Sequence, residues 1–266
     1  MICRFSKRVL IRYFKLMMKN LNIEYGDIVY VEAQVSPNFF NPIYTRYLVS
    51  SLLEYIGKEG TLVLSLAGFN HDLNINEDLY DYVIPYNDRT QGLYSSSKLA
   101  EMFINVKGAK VSDSSFFPYI AIGKYADLIV NAKSFDFPNG VQSPFARLYE
   151  LRAKAILVEH NIKDFLLNEH CFEISDKTYV YVDRGVVNKS VKSYLRKKYD
   201  QDIVKSLFSM KKYKELFYYT DYNDRSYLGV DIRDYVDLTL EVIEGWLEDE
   251  KNINCISGSI TINVMW

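Results

Sequence analysis

The sequence predicts an α/β fold, and three observations lead to that prediction. Candidate buried strands and candidate helices alternate along the first half of the chain with short connections. This order is typical of an α/β domain, in which helices cover a sheet of buried strands. The 266 residues are 48% hydrophobic and 25% charged, which suits a globular protein with a large core. No stretch rich in Pro, Gly or Ser divides the chain, so we expect a single domain over residues 1–266.

The first predicted elements are a helix, a strand, a second helix and a second strand. Apolar residues recur at helical spacing in MICRFSKRVLIRYFKLMMKN, which predicts a helix that packs on the domain or, alternatively, docks on a membrane surface. This segment lacks the uninterrupted apolar stretch and the cleavage site of a signal peptide, so we expect a cytoplasmic protein. GDIVYVEAQV and GTLVLSLAG predict buried strands, and YTRYLVSSLLEYIG predicts a helix that ends at Gly57.

The next segment contains a long loop and then returns to alternating elements. Residues 70–95 show little periodicity, which predicts either a functional cover or a poorly ordered surface loop. YIAIGKYADLIVNA predicts a strand, a glycine turn and a helix. GVQSPFARLYEL predicts a turn and a helix with Pro144 in its first turn. AKAILVEH predicts another buried strand.

The pattern changes after a predicted core over residues 20–175. In TYVYVDRGVV, apolar and polar residues alternate, which predicts a strand with one solvent-exposed face. KSVKSYLRKKYDQDIVKSLFSMKKYKELFYY predicts a helical segment with a basic polar face, and RDYVDLTLEVIEGWLEDEKN predicts an amphipathic helix. Residues 176–266 are therefore expected to form an α+β elaboration of the same domain.

Composition and missing motifs argue against several classes of function. Net charge is −2 at pH 7, so nucleic-acid binding is not expected, and the Lys-rich segment is interpreted as a solvated surface. No run approaches the ~20 apolar residues that span a bilayer. The three cysteines are far apart and form no CxxC pair, so we expect neither a zinc site nor a disulfide framework. GxxxxGK, GxGxxG, GxSxG and HExxH are all absent, which disfavours nucleotide hydrolysis and serine-esterase chemistry.

Asp164, His170 and Glu173 are the candidate catalytic residues. They lie after a predicted strand and in a predicted helix that contains NEHCFE. Ligands of α/β proteins bind at the carboxyl ends of strands. His170 and Glu173 share a face of a helix, and a carboxylate beside an imidazole holds one tautomer and stabilises the protonated ring. The alternative is a structural or surface histidine beside a solvated glutamate.

Linked motifs around these residues resemble the aminoglycoside 3-N-acetyltransferase family. FDFPNGVQSPFARLYELRAKAILVE is similar to the family segment with a glycine turn, Ser-Pro, a helix with Leu-Tyr-Glu-Leu and a strand. In that family the strand leads to an Asp, then to a His and a Glu at the intervals of Asp164, His170 and Glu173. Weaker similarity occurs, in family order, in GDIVYVEAQVS, YIGKEGTLVLSL, SSKLAEMF and YIAIGKYAD. The resemblance covers roughly residues 20–175 and fades afterwards.

The resemblance implies a mixed central β-sheet flanked by helices and an acyl-CoA-dependent N-acetyltransferase. His170 would be the general base for the attacking amine, with Asp164 and Glu173 orienting the imidazole and balancing its charge. Which carboxylate touches the ring stays open. The implied cosubstrate is acetyl-CoA or another acyl-CoA, without a metal, and the implied acceptor is an amino sugar or an aminoglycoside-like amine. An oligomer is possible.

The resemblance also implies where the CoA thioester binds, and there the chain departs from the family pattern. The expected cleft lies between Gln34 and Ser36 on one side and the turn of Gly140 and Ser143 on the other. The departures are Ser114-Ser115 for His-Pro, Lys133 for a His, Glu32-Ala33-Gln34 for His-Ser-Ser, and Ser65-Leu66 for Pro-Thr. They keep open an alternative, a catalytically degenerate relative that serves as a binding or assembly protein.

Overall fold

The computed structural model describes residues 7–33, 42–65, 103–112, 119–132, 136–158, 165–175, 180–187, 190–197, 201–222 and 225–248. Its helices are α1 (Lys7–Asn20), α2 (Pro42–Ile56), α3 (Ala126–Val130), α4 (Pro144–Glu150), α5 (Leu166–Ile174), α6 (Gln201–Ser209), α7 (Lys211–Lys214) and α8 (Ile232–Glu248). Its strands are β1 (Ile28–Ala33), β2 (Thr61–Ser65), β3 (Lys110–Val111), β4 (Tyr119–Gly123), β5 (Lys154–Val158), β6 (Val180–Val187), β7 (Ser190–Lys197), β8 (Tyr218–Tyr222) and β9 (Arg225–Asp231).

These strands form one mixed sheet and one separate hairpin. The seven-stranded sheet has the order β3-β4-β2-β1-β5-β9-β8. β1 is parallel to β2 and β5, whereas β4 and β9 flank these three strands in antiparallel pairs. β6 and β7 pair with each other in antiparallel register. The predicted α/β fold with a mixed central sheet and flanking helices is therefore the observed one.

Two hydrophobic layers cover the two faces of the sheet, because successive side chains of a strand point to opposite faces. On β1, Val29 and Val31 belong to the cluster that includes side chains of α1 and α2. Ile28 and Tyr30 belong to the cluster that includes side chains of α4, α5 and α8. Glu32 continues the second series, so it lies on the same face of the sheet as α5.

The predicted N-terminal helix is confirmed and packs on the domain. α1 buries Leu10, Phe14, Met17 and Met18 in the cluster it shares with α2 and the sheet. This burial explains the apolar stripe of the sequence without a membrane surface. None of the helices in the described residues is long and apolar enough to cross a membrane.

The other predicted elements of the first half are also confirmed where the structure describes them. α2 ends before Gly57, whose φ of 66° lies in the region that glycine enters at little cost. The strand, turn and helix predicted from YIAIGKYADLIVNA are β4 and α3, and the strand predicted from AKAILVEH is β5. Residues 70–95, expected to form a long loop, lie outside the described residues.

The helix predicted over the Lys-rich segment is wrong in part. Ser190–Lys197 forms β7 and Tyr218–Tyr222 forms β8, so helix is restricted to α6 and α7 between them. In the β6–β7 hairpin, Val182 lies opposite Leu195 and Val186 opposite Val191. The backbone register along the full length of β6 makes β7 a strand, and this pairing outweighs the helix propensity of the lysines.

Residues beyond the predicted core extend the central sheet. β9 pairs with β5 along its length, from Lys154 opposite Asp231 to Val158 opposite Tyr227, and β8 pairs with β9. α8 contributes Tyr235 and Val236 to the same hydrophobic cluster as α5. The single domain and its division at residue 175 stay predictions, and this shared cluster is a physical argument for one domain.

Candidate active site

The candidate site lies at the carboxyl edge of the three parallel strands. β1, β2 and β5 end there at Ala33, Ser65 and Val158, and α5 follows β5 in the chain. Loops and helix N-termini converge at such an edge, which is where α/β proteins bind ligands. In α5, His170 is 1% exposed and Glu173 is 4% exposed. Both side chains are therefore interior groups and not solvated ones.

Asn139 determines the tautomer of His170. Nδ1 of the ring is in hydrogen-bond contact with the backbone carbonyl oxygen of Asn139. A carbonyl oxygen only accepts hydrogen bonds, so Nδ1 carries the proton and Nε2 carries the lone pair. Burial lowers the pKa of His170 from 6.5 to about 4, against a smaller opposite effect of the Asn139 contact. The ring is therefore neutral at pH 7, with Nε2 as its basic nitrogen.

Glu173 is connected to His170 through the backbone of Asn139. The N–H of Asn139 donates to Oε2 of Glu173 at 2.6 Å, and Nε of Arg196 donates to Oε1 at 2.9 Å. Burial raises the pKa of Glu173 to about 7, because it outweighs the opposite effects of Arg196 and Asn139. Within the described residues, the group that contacts Nδ1 of His170 is thus a backbone carbonyl. Glu173 is linked to the ring indirectly, through the backbone N–H of Asn139.

Arg196 of β7 bridges two carboxylates of α5. Its Nε bonds Glu173, and its Nη2 contacts Oε2 of Glu169. The side-chain amide of Asn139 donates to the same Glu169 oxygen at 2.8 Å, and the Tyr119 hydroxyl lies 3.4 Å from Oδ1 of Asn139. Buried carboxylates are stable only when they are paired and hydrogen-bonded. Arg196 and Asn139 therefore satisfy both the buried carboxylate of Glu173 and the partly buried carboxylate of Glu169.

Gly140 and Ser143 have structural roles in the turn that follows Asn139. The Gly140 N–H donates to the Phe137 carbonyl at 2.7 Å, and a Cβ at Gly140 would lie 2.9 Å from Cβ of Phe137. The Ser143 hydroxyl accepts from the Ala146 N–H at 3.2 Å and caps α4. Gly140 thus permits the tight turn that follows Asn139, and Ser143 begins α4, while the contact of either residue with a CoA thioester stays a prediction.

Several residues singled out in the sequence lie outside the described residues. They are Asp164, Gln34, Ser36, Ser114, Ser115 and Lys133. Conversely, sequence reasoning did not identify Asn139, Glu169 and Arg196. The first two lay inside quoted motifs, an Asn-Gly turn and NEHCFE, whereas Arg196 lay in a segment predicted as a solvated helix. Among the described residues, no group of three or more His, Cys, Asp or Glu side chains is placed to hold a metal ion.

A family model identifies the class of protein to which this fold and site belong. The model of the aminoglycoside 3-N-acetyltransferase family matches residues 42–244, well over half of the chain. The chain therefore belongs to this family. The match continues past residue 175, where we expected the resemblance to fade, so that expectation is wrong. The match includes the hairpin that supplies Arg196. Among curated protein sequences, none matches this chain significantly.

Several solved structures share the fold of this chain. Apo aminoglycoside acetyltransferase AAC(3)-IVa matches with a TM-score of 0.72 at 18% identity, over 89% of each chain. AAC-IIIb in its binary complex with CoASH matches with 0.69 at 15% identity, over 88% of this chain and 96% of that one. YokD from Bacillus subtilis matches with 0.68 at 14% identity, over 88% and 98%. At these identities the likeness establishes the fold.

Proposed function

We propose that the chain transfers an acetyl group from acetyl-CoA to an amine of an amino sugar or an aminoglycoside-like acceptor. The observation that carries the proposal is the neutral, buried His170, whose contact with Asn139 leaves a lone pair on Nε2. Family membership supports acyl transfer to an amine. AAC-IIIb binds CoASH, and structures of an AAC(3)-IVa mutant contain a gentamicin or apramycin, which supports both substrate classes.

In the proposed reaction, the acceptor nitrogen attacks the thioester carbonyl carbon of acetyl-CoA. His170 takes a proton from that nitrogen at Nε2 as the C–N bond forms. The C–S bond then breaks, and the leaving thiolate receives the proton to become CoASH. An amine and acetyl-CoA thereby become an acetamide and CoASH, so the atoms and charges balance without an oxidant or a reductant.

The groups behind His170 stabilise its protonated form. The Asn139 carbonyl accepts from Nδ1, and Glu173 supplies negative charge near the imidazolium. A pKa of about 7 means that Glu173 is partly ionised at neutral pH. We include Asp164 as the second carboxylate, which would help to orient the ring and balance its charge.

We place the pantetheine arm of CoA between the segment of Gln34 and Ser36 and the turn of Gly140 and Ser143. This turn carries Asn139, so a thioester there would lie near the carboxyl edge that presents His170. Calorimetric titration with acetyl-CoA tests the placement. We expect heat of binding below millimolar ligand in the wild type, and weaker binding after Ser36→Trp, which would obstruct the cleft. Equal binding by both proteins would exclude this position.

Thioester cleavage by His170→Ala tests the general base. General-base assistance contributes about 10²- to 10⁴-fold, so the rate of CoASH release with an amino-sugar acceptor should fall by that order. Cys171→Ala is the matched control, because Cys171 is the next residue of α5 and is fully buried in the core. It should keep its activity while losing some stability. Full activity in a well-folded His170→Ala protein would disprove the assignment.

A second candidate is a catalytically degenerate relative that binds a ligand or assembles with a partner. The departures from the family pattern at Glu32, Lys133 and Ser114-Ser115 favour it. Acetyl-CoA separates the two functions, since a ligand at 100 times its Kd stabilises a protein by roughly 2.7 kcal/mol. Acetyl-CoA that raises Tm without CoASH release, for every amino sugar tested, would favour the degenerate relative.

A further inference from the structure

We propose that Glu32 is a positioning residue for His170 and acts from the central sheet on the first turn of α5. The inference rests on the proposed function for its catalytic consequence. Its structural part concerns only the ring of His170 and the helix that carries it. Glu32 stands where the family pattern has a histidine. In this proposal, the residue that departs from the family pattern helps to position the general base, His170.

Glu32 contacts the N-terminus of α5 directly. It lies near the end of β1 and is buried. The backbone N–H of Leu166, the first residue of α5, donates to both carboxylate oxygens, at 3.2 Å to Oε1 and 3.4 Å to Oε2. The Tyr30 hydroxyl donates to Oε2 at 2.7 Å and holds the carboxylate in place. A side chain distant in sequence therefore satisfies a helix-terminal amide.

α5 needs such a partner because its own N-cap residue supplies none. Phe165 is the N-cap, and its side chain makes no capping hydrogen bond. The first amides of a helix have no partner within the helix, and those of a buried helix cannot turn to water. A carboxylate at this end also interacts favourably with the helix dipole. Glu32 combines both effects in one side chain.

The first turn of α5 determines where the imidazole of His170 lies. Leu166 and His170 are one turn apart and stack on one face of the helix. A shift of Leu166 therefore moves His170 relative to the Asn139 carbonyl, which belongs to another segment of the chain. Tyr30 supports the ring by a second route: its ring packs edge-on against Phe145 at 5.3 Å, and Phe145 lies 5.9 Å from the imidazole.

The test uses Glu32→Ala, Glu32→Gln and Tyr30→Phe in the full chain. Glu32→Gln keeps an acceptor oxygen for the Leu166 N–H. Tyr30→Phe removes the hydrogen bond from the Tyr30 hydroxyl to Glu32 and keeps the contacts between both Glu32 oxygens and the Leu166 N–H. A misplacement of about 1 Å can cost 10²-fold in rate, so Glu32→Ala should lower kcat about 10- to 100-fold with little change in KM. The two conservative variants should keep most of the activity.

NMR supplies the readout that does not depend on activity. The chain has three histidines, so the ring signals of His170 can be assigned by substitution. In Glu32→Ala, the pKa of His170 should rise from about 4 towards 6.5, because the displaced ring gains water. The amide of Leu166 should exchange faster with solvent. A purely structural role would lower Tm and leave both the titration of His170 and kcat unchanged.

The outcomes separate this inference from the proposed function. A wild-type protein that releases no CoASH contradicts the proposed function, and the titration of His170 and the exchange of Leu166 then still decide the role of Glu32. A folded Glu32→Ala protein with wild-type titration, exchange and kcat overturns the inference. Should Glu32→Ala not fold, Glu32→Asp takes its place, since its shorter side chain draws the carboxylate away from Leu166. Wild-type values in Glu32→Asp would overturn the inference equally.

Discussion

The two ends of α5 are held by two different parts of the chain. At the first turn, Glu32 of the central sheet accepts a hydrogen bond from the backbone of Leu166. From the β6–β7 hairpin, Arg196 pairs with Glu169 in the first turn and with Glu173 in the last turn, and Lys197 contacts the carbonyl of the C-cap residue Ser175. Glu32 lies at the positive end of the helix dipole, and Lys197 lies at the negative end, so both charges are electrostatically favourable.

The supports differ in what happens when one partner is lost. The sheet end rests on a strand packed from both faces, where Glu32 adds a single cap to an extensive core. The hairpin end rests on a buried arginine, on Lys197 contacting the Ser175 carbonyl, and on the bond from the Phe137 N–H to the Leu195 carbonyl at 2.7 Å. Buried ion pairs are weakly stabilising when intact and strongly destabilising when one partner is removed. The hairpin is therefore the more vulnerable support.

Arg196→Met should have the largest effect on stability. It leaves the buried Glu173 and the partly buried Glu169 without their cation, and breaking a buried ion pair typically costs about 3–5 kcal/mol. Urea unfolding of the wild type and the variant measures the difference. Arg196→Lys should be intermediate, because lysine keeps the charge and loses the planar fork.

The triple variant Arg196→Met, Glu169→Gln and Glu173→Gln is the control for that prediction. It removes the cation and both anions together, so no uncompensated charge stays buried, and most of the lost stability should return. A single Arg196→Met variant as stable as the wild type would show that the hairpin is not the vulnerable support.

Glu173→Gln should change how stability depends on pH. Because burial raises the pKa of Glu173 from 4.5 to about 7, the folded protein holds this proton more tightly than the unfolded chain. Its contribution is fully present below pH 4.5 and is lost as pH rises through 7. Glutamine does not titrate, so the variant does not lose stability in this way as pH rises. Its free energy of unfolding relative to that of the wild type should therefore increase by about 3 kcal/mol between pH 4.5 and pH 8.

Denaturant unfolding at several pH values measures this difference. His170 has the opposite sign: its pKa is lowered to about 4, so its contribution is present above 6.5 and declines as pH falls through 4. Over the pH range in which His170 titrates, Glu173 is mostly protonated and therefore neutral, as glutamine is, so the effect of His170 should be equal in both proteins and cancel in the comparison. A difference between Glu173→Gln and the wild type that does not vary with pH would refute the assignment of the raised pKa.

Ser143→Ala should have the smallest of these effects. α4 is capped locally, by the Ser143 hydroxyl on the Ala146 N–H, whereas α5 is capped from a distant strand. Loss of a serine cap costs about 1 kcal/mol, which a thermal melt resolves. Ser143→Gly is the matched control, since glycine at an N-cap costs only a few tenths of a kcal/mol. Equal losses in the two variants would argue against the cap as the cause.

The elements that sequence predicted well are those whose cause is local. Apolar runs predicted β1 and β5, because strands buried on both faces read as continuous hydrophobic segments. Pro144 predicted the start of α4 because proline suits the first turn of a helix, and the structure adds the Ser143 cap. β7 escaped prediction because its strand conformation depends on pairing with β6, and its lysines and leucine resemble a helix surface.

In the candidate site, too, the residues with local signals were predictable and those contributed by distant segments were not. The pair His170 and Glu173 was predictable from helical spacing and from the family's intervals. Its partners were not, because the carbonyl of Asn139 and the guanidinium of Arg196 reach α5 from segments far away in the chain. Glu32 read as a loss in the cleft, since its contact with Leu166 exists only in the folded molecule.

The backbone contacts of Asn139 have a consequence for genetic approaches to this protein. Its N–H and its carbonyl reach Glu173 and His170 as main-chain groups, so they are present whichever side chain occupies the position. A mutational scan at residue 139 would report the side-chain contacts with Glu169 and Tyr119 and would miss the link between the two candidate catalytic residues. Chemical synthesis with an ester in place of the amide before residue 139 deletes the donor to Glu173 alone. Among the twenty amino acids, only proline at position 139 would remove this N–H, because proline has no backbone N–H.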